Sequence, residues 1–218
     1  MQTQSNTRIP HRNKFLAILL RLLLPKALIE FLARIGGYVA DVAFFDKGSF
    51  GEARIRAILT NLKYGFLAHA IGRGVIFEGA SRIHLEQNVV LHHGVVLIAG
   101  TQGYCRIGQG SHVSHYTVLS GTHGISIGSD TAISSGVAIY SVSNQKLDGL
   151  LLTETPLRIG AVEIGSRVLI GANAMIMPGV VLEDDCAVGA NAVVIRRVKA
   201  ENVVVGVPAK PIRPTVSS

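Results

Sequence analysis

Three imidazoles occupy related places in this sequence. His93 and His115 each follow an aliphatic residue by two positions, Leu91 and Val113, and His123 follows Leu119 by four. Histidine is the side chain whose ordinary pKa lets it take up and return a proton near neutral pH, so each is a candidate general base. Three imidazoles within neighbouring segments could also form a zinc set. A single surface histidine is usually inert, but three so close together favour chemistry. The stretch YSVSNQKLD, Tyr140 to Asp148, carries amides and hydroxyls with no imidazole at all.

The elements that must position these groups are written in a period of six. From Leu85 onward the chain divides into hexapeptides such as LHHGVV, IGQGSH, IGSDTA, ISSGVA, IGANAM and VGANAV, each opening with an aliphatic residue, often followed by glycine. A fixed six-residue period with one inward aliphatic and small corner residues predicts a parallel β-helix, in which three short strands make one triangular coil. A sandwich would alternate with period two. The coils are then Leu85, Leu91 and Leu97; Ile107, Val113 and Leu119; Ile127, Ile133 and Ile139; Ile164, Ile170 and Ile176; and Leu182, Val188 and Val194. The segment IGRGVIFEGA from Ile71 starts the winding. The period slips between Ile139 and Ile164, so Ser141 to Glu163 is predicted to leave as an external loop. His93 and His115 should stack one coil apart with Ser135 above them.

Composition agrees with thin strand layers. The 218 residues include 24 glycines, 7 prolines and no tryptophan, with 48% apolar and 16% charged residues. This predicts a core of Val, Ile, Leu and Ala. The formal charge of +7 suits an anionic small molecule, an acidic glycan or a membrane surface. No nucleic-acid motif is present, and no nucleic-acid partner is expected. Cys105 and Cys186 lack CxxC spacing and read as small buried hydrophobes in a reducing compartment.

The division expected is a helical N-terminal appendage over 1–66, a β-helix over 67–200 with its loop at 141–163, and a C-terminal tail over 201–218. The apolar run Phe15 to Leu24 is interrupted by Arg21, stopped by Pro25 and short of the roughly 20 residues that cross hydrocarbon. After it, Lys26, Glu30 and Arg34 place one polar stripe on an apolar helix, which packs on the fold or lies at a membrane interface. A cytoplasmic protein with peripheral contact at the inner membrane face is the expectation.

The segment Ile71 to Pro214 resembles the left-handed β-helix, hexapeptide-repeat acyltransferases, in particular the galactoside and maltose type of O-acetyltransferase. Its most specific part is IGSRVLIGANAMIMPGVVLEDDCAVGANAVVIRRVKAENVVVGVPAKPIR, Ile164 to Arg213. The resemblance implies an all-β core wound as a left-handed parallel β-helix, a homotrimer, and acetyl-CoA lying in the groove between neighbouring copies. It would set the backbone at Ala172 and Ala190 against the pantetheine arm. Arg196, Arg197, Lys210 and Arg213 would meet the CoA phosphates, since fixed cationic donors suit phosphate. The acceptor would be a sugar hydroxyl in surface polysaccharide biosynthesis.

The same resemblance exposes a departure. The family's catalytic histidine follows a GVxIY sequence, and counting from Gly136 in GVAIYSVSNQ the position falls on Asn144. A family asparagine one coil earlier falls on Ser114. Asparagine does not titrate near neutral pH and cannot act as the base, a loss worth about 10² to 10⁴ in rate. His123, placed at nearly the same corner one coil back, is the first substitute, and His115 the second. Two other readings remain: a trimer that kept its fold and lost its base, or a protein resembling the hexapeptide-repeat carbonic anhydrases, whose zinc is held by histidines gathered across a subunit interface, with His93, His115 and His123 as the ligands. An amine acceptor such as an aminosugar nucleotide is equally compatible with the fold.

Overall fold

The structure, a computed structural model, describes residues 50–151 and 153–212. It begins with helix α1, Phe50–Tyr64. The helix stops at Gly65, whose positive φ of 78° ends the right-handed winding while its N–H returns to the Asn61 carbonyl at 2.7 Å. α1 lies on the first strand, with Ala57 buried, Arg56 Nε donating to the Ile71 carbonyl at 3.0 Å and Asn61 Nδ2 to the Ala68 carbonyl at 2.8 Å. Stacked rings of Tyr64, Phe66 and Phe77 seal the same end of the core.

The all-β core is a parallel β-helix, as the hexapeptide period predicts. Its first face runs through Ala70–Ile71, Val90–Leu91, His112–Val113, Ala132–Ile133, Leu169–Ile170, Ala187–Val188 and Val203–Val205. The second runs through Ile76–Glu78, Val96–Ile98, Val118–Ser120, Ala138–Tyr140, Met175–Ile176 and Val193–Val194. The third contains Ile83–Leu85, Cys105–Ile107, Ile125–Ile127, Val162–Ile164 and Val181–Leu182. At the far end Lys210–Pro211 folds back antiparallel on Val203–Val205.

Register within each face matches the coil arithmetic residue for residue. Leu91, Val113, Ile133, Ile170 and Val188 stand over one another on the first face. Leu97, Leu119, Ile139, Ile176 and Val194 do so on the second, and Leu85, Ile107, Ile127, Ile164 and Leu182 on the third. These side chains are the core. The corner between the third and first faces is closed from within by two hydroxyls. Ser111 Oγ donates to the Gly128 carbonyl at 2.7 Å and accepts the Thr131 N–H at 2.9 Å. Thr131 Oγ1 repeats this one coil on, donating to Gly165 at 2.9 Å and accepting from Val168 at 3.2 Å. Buried polar groups so paired do not pay the desolvation cost of an orphan.

The Ser141–Glu163 excursion is an ordered arm. Val142 and Ser143 pair antiparallel with Ile159 and Arg158, Gln145 Nε2 donates to the Pro156 carbonyl at 3.2 Å, and buried Thr155 donates to the Gln145 carbonyl at 3.0 Å. Glu163 itself belongs to the strand that rejoins the third face. Among the described residues no helix is long and apolar enough to cross a membrane. The apolar run Phe15 to Leu24 and the polar stripe after it lie outside the described residues, as does Arg213.

Two outcomes follow from the core. Leu119→Ala opens a hole in a fully packed column and should lower the unfolding free energy by about 2 to 5 kcal/mol, against about 1 kcal/mol for Ile133→Val, measured by denaturant titration. Burial pushes the Cys105 thiol up to about 12 and that of Cys186 to about 11. Iodoacetamide at pH 8 should therefore leave both unmodified in the native protein and alkylate both after unfolding, read by mass spectrometry.

Candidate functional site

Among the described coils, all the length beyond the six-residue period is spent at one corner. The step from the second to the third face is six residues between Ile176 and Leu182, but it is stretched between Leu97 and Ile107, between Leu119 and Ile127, and most of all between Ile139 and Ile164. These excursions stack on one another. A Cβ on Gly103 would overlap the Gly121 carbonyl, one on Gly121 would lie 2.5 Å from the Tyr104 carbonyl, and one on Gly124 would lie 2.8 Å from the Tyr104 ring. Glycine is required there because backbone lies directly on backbone. The Arg106 guanidinium lies over the Tyr104 ring, 4.6 Å from its centroid.

His123 sits at the tip of the middle excursion, half-buried. Its main-chain N–H donates to Ser141 Oγ at 2.9 Å, and the Ser141 hydroxyl donates to the Ser120 carbonyl at 2.8 Å. Thr122 Oγ1 lies 3.5 Å from both His123 Nδ1 and Ser141 Oγ. Ser141 is fully buried where the arm departs, and its carbonyl receives the Gly160 N–H at 3.0 Å where the arm returns. Asn144 is three residues further along the arm and exposed. His123 and Asn144 thus share a corner on adjacent coils, as their spacing predicts.

Ser114 and His115 do not join them. They lie at the corner between the first and second faces, on the opposite edge of the second face from His123. There the His93 and His115 rings stand 5.4 Å apart and those of His92 and His115 4.7 Å apart. His93 Nδ1 accepts the Arg73 N–H at 2.9 Å. Burial first, then the charges of His115, His112 and His93, lower the pKa of His92. Ser135 follows on the next coil, exposed. Within one chain, no group of three or more histidine, cysteine or carboxylate side chains among the described residues is arranged to hold a metal ion; His93 and His115 lie on one edge of the second face and His123 on the other.

Ala172 and Ala190 continue the histidine edge into the last coils. A Cβ on Gly171 would lie 2.5 Å from the Ala190 nitrogen, and one on Gly189 2.7 Å from Val205 Cγ1. The turns there, Gly171 to Ala174 and Gly189 to Ala192, carry no side chain longer than asparagine. Arg196 is exposed at the end of the second face. Arg197 pairs with Glu183 at 2.6 Å, and Glu183 also accepts the Ala200 N–H at 3.0 Å. That amide first, and Arg197 second, hold the Glu183 carboxyl below the usual carboxylate range. An arriving phosphate would therefore compete with Glu183 for Arg197. Lys210 is exposed on the returning strand. A groove of about 620 Å³ on the third face, lined by Tyr104, Ser126, Glu163, Glu183 and Asp184, carries acids and is no place for an anionic ligand.

Sequence spacing located His123 but not the two hydroxyls around it. The position two beyond the inward residue of the second face is Ala99, Gly121, Ser141, Pro178 and Arg196 in successive coils, so Ser141 is the one hydroxyl in that column and stands between Gly121 and Pro178. That hydroxyl was readable once the columns were aligned. Nothing in the spacing marks Thr122.

The family description "Bacterial transferase hexapeptide (six repeats)" matches residues 161–196. The dTDP-4-amino-4,6-dideoxy-D-glucose acyltransferase of Escherichia coli is 31% identical over 78% of this chain and 88% of its own. The putative lipopolysaccharide biosynthesis O-acetyl transferase WbbJ of Escherichia coli strain K12 is 30% identical over 60% of this chain and 71% of its own. Among solved structures, AntD, an N-acyltransferase from Bacillus cereus in complex with dTDP and 3-hydroxybutyryl-CoA, superposes with a TM-score of 0.60 and 27% identity over 69% of this chain and 84% of AntD. With the period, the registered columns and a relative matched along most of both lengths, the chain belongs to the hexapeptide-repeat acyltransferases.

Proposed function

We propose that this protein is an O-acetyltransferase that moves the acetyl group of acetyl-CoA to a hydroxyl of a sugar or glycan acceptor, in the cytoplasm, during surface polysaccharide biosynthesis. The observation that carries the reading is His123, an imidazole fixed by its main chain at the corner where the arm leaves, with Asn144 exposed beside it on the arm. The acceptor oxygen attacks the thioester carbonyl carbon while His123 Nε2 removes its proton. Main-chain amides steady the oxyanion of the tetrahedral intermediate. Collapse re-forms the carbonyl and expels the CoA thiolate, which recovers the proton from the His123 imidazolium.

The working unit in this reading is a homotrimer. The Ala172–Ala190 edge and His123 flank the second face, where the outward residue before each inward one, Ile76, Val96, Val118, Ala138, Met175 and Val193, is apolar, while Glu78, Ser120 and Tyr140 follow the inward residue in three strands. A neighbouring copy laid over that face would bury them and bring the pantetheine of one copy toward His123 of the other. Arg196, Lys210 and Arg213, with Arg197 once it leaves Glu183, would take the phosphates, and the net charge of +7 favours both anionic substrates.

A second reading is favoured by Asn144. An amine that reaches the site unprotonated attacks a thioester without prior proton removal, so an acceptor of the kind named for the Escherichia coli relative, a dTDP-linked aminosugar, would tolerate a loop with no histidine. Calorimetry with acetyl-CoA, then CoA release against hydroxyl and dTDP-aminosugar acceptors, separates the cases. His123→Ala should retain acetyl-CoA binding and lose about 10² to 10⁴ in turnover on a hydroxyl acceptor. Full turnover of that variant on an aminosugar alone would establish the second reading, and failure of the wild type to bind acetyl-CoA would leave a non-catalytic trimer.

A further inference from the structure

We propose that Thr122 and Ser141 are positioning residues that select the tautomer of His123, through a chain of hydroxyls that can run in one direction only. The proposal rests on His123 being the base of the reaction above.

The direction follows from what stands at the end of the chain. The Ser120 carbonyl can only accept, so the Ser141 hydroxyl, 2.8 Å away, must spend its single proton there. Ser141 Oγ is left with two lone pairs. One accepts the His123 main-chain N–H at 2.9 Å, and the other faces Thr122 Oγ1 at 3.5 Å. Thr122 must then be the donor in that contact. With its own proton committed, Thr122 Oγ1 can only accept from His123 Nδ1, also 3.5 Å away. The imidazole is thereby held with its proton on Nδ1, which leaves the Nε2 lone pair free to take a proton from an acceptor. Both long contacts shorten once the ring carries charge, because an imidazolium donates more strongly than a neutral ring.

Two features argue that this arrangement is specific to the site. Adjacent coils build the same column from Ala99, Gly121 and Pro178, so the winding needs no hydroxyl at Ser141. The Thr122 rotamer is also confined: a Cβ on Gly100 would lie 3.1 Å from Thr122 Cγ2, so the methyl occupies the space over that glycine. Ser141 is, besides, the residue from which the arm departs and to which it returns, so movement of the arm reaches His123 through one side chain.

The test reads the tautomer apart from activity. In full-length protein labelled with ¹⁵N-histidine, the His123 resonances are assigned by their loss in His123→Gln. The expected wild-type signature is a protonated Nδ1 and an unprotonated Nε2, with the preference lost in Thr122→Val and Ser141→Ala and kept in Thr122→Ser. A proton on Nε2 in the wild type, or a preference unchanged in both variants, overturns the proposal. In the hydroxyl-acceptor assay, Thr122→Val and Ser141→Ala should lose about 10- to 100-fold in kcat, a part of what a base supplies, with KM unchanged, and Thr122→Ser should recover it. Thr122→Val is nearly isosteric, so it keeps the test valid if Ser141→Ala disturbs the arm. A wild-type tautomer as expected, together with undiminished turnover in His123→Ala, would uphold the relay and remove the base.

Discussion

The structure depends on the registry of its inward columns. Each coil contributes at least one inward aliphatic residue per face, two in most strands of the third, and each stands directly over its counterpart in the coils before and after. A parallel ladder slipped by one residue would turn every core side chain to the outside, so the sequence must repeat the same inward type every six positions with little freedom. The interior is too narrow for anything else. Chemistry is therefore excluded from the faces' inner side and confined to corners, where a residue can be inserted or exchanged without shifting a column.

Of the three corners, only the one between the second and third faces absorbs insertions in the described coils. Its stacked excursions work because Gly103, Gly121 and Gly124 let main chain and the Tyr104 ring approach where a Cβ would not fit. The opposite edge of the second face keeps a uniform turn, and there the variation is in side chains: histidines in the middle coils, then bare alanines. In the proposed reaction the imidazole at the tip of an excursion and the smooth backbone edge would be the two halves of the transfer site, and they lie on opposite edges of the second face. A copy of the chain next to that face is the simplest way for the halves to meet.

Much of this was legible in the sequence. The period gave one inward residue per strand and its stacking partners from Leu85 to Val194, because in a β-helix sequence spacing translates directly into height and face; the second inward residue of third-face strands, such as Ile125 and Val162, lies outside the six-residue count. The same arithmetic placed His123 beside the arm. It was weaker at the corners, where a period counts residues but does not say which way an excursion turns. Ser114 and His115 fall on a different edge from His123 for that reason, and grouping them by proximity in coils hid the separation. Charged residues were the least legible. Arg197 reads as a phosphate ligand from its place in the basic C-terminal run, yet its distance to Glu183 is set by how the last coil meets the one beneath it.

A base oriented by hydroxyls differs from one oriented by a carboxylate in what it does to the field of the site. A carboxylate on Nδ1 stabilises the imidazolium, but it also adds a negative charge that an acyl-CoA and a phosphorylated acceptor would both have to approach. A chain ending on the Ser120 carbonyl orients the ring at no cost in charge. The relay is also made of the same main chain that anchors the arm, so the group that fixes the proton and the segment next to the acceptor cannot move independently. In a fold whose interior allows no rearrangement, coupling through a corner hydroxyl is one of the few ways a bound acceptor could be felt at the base.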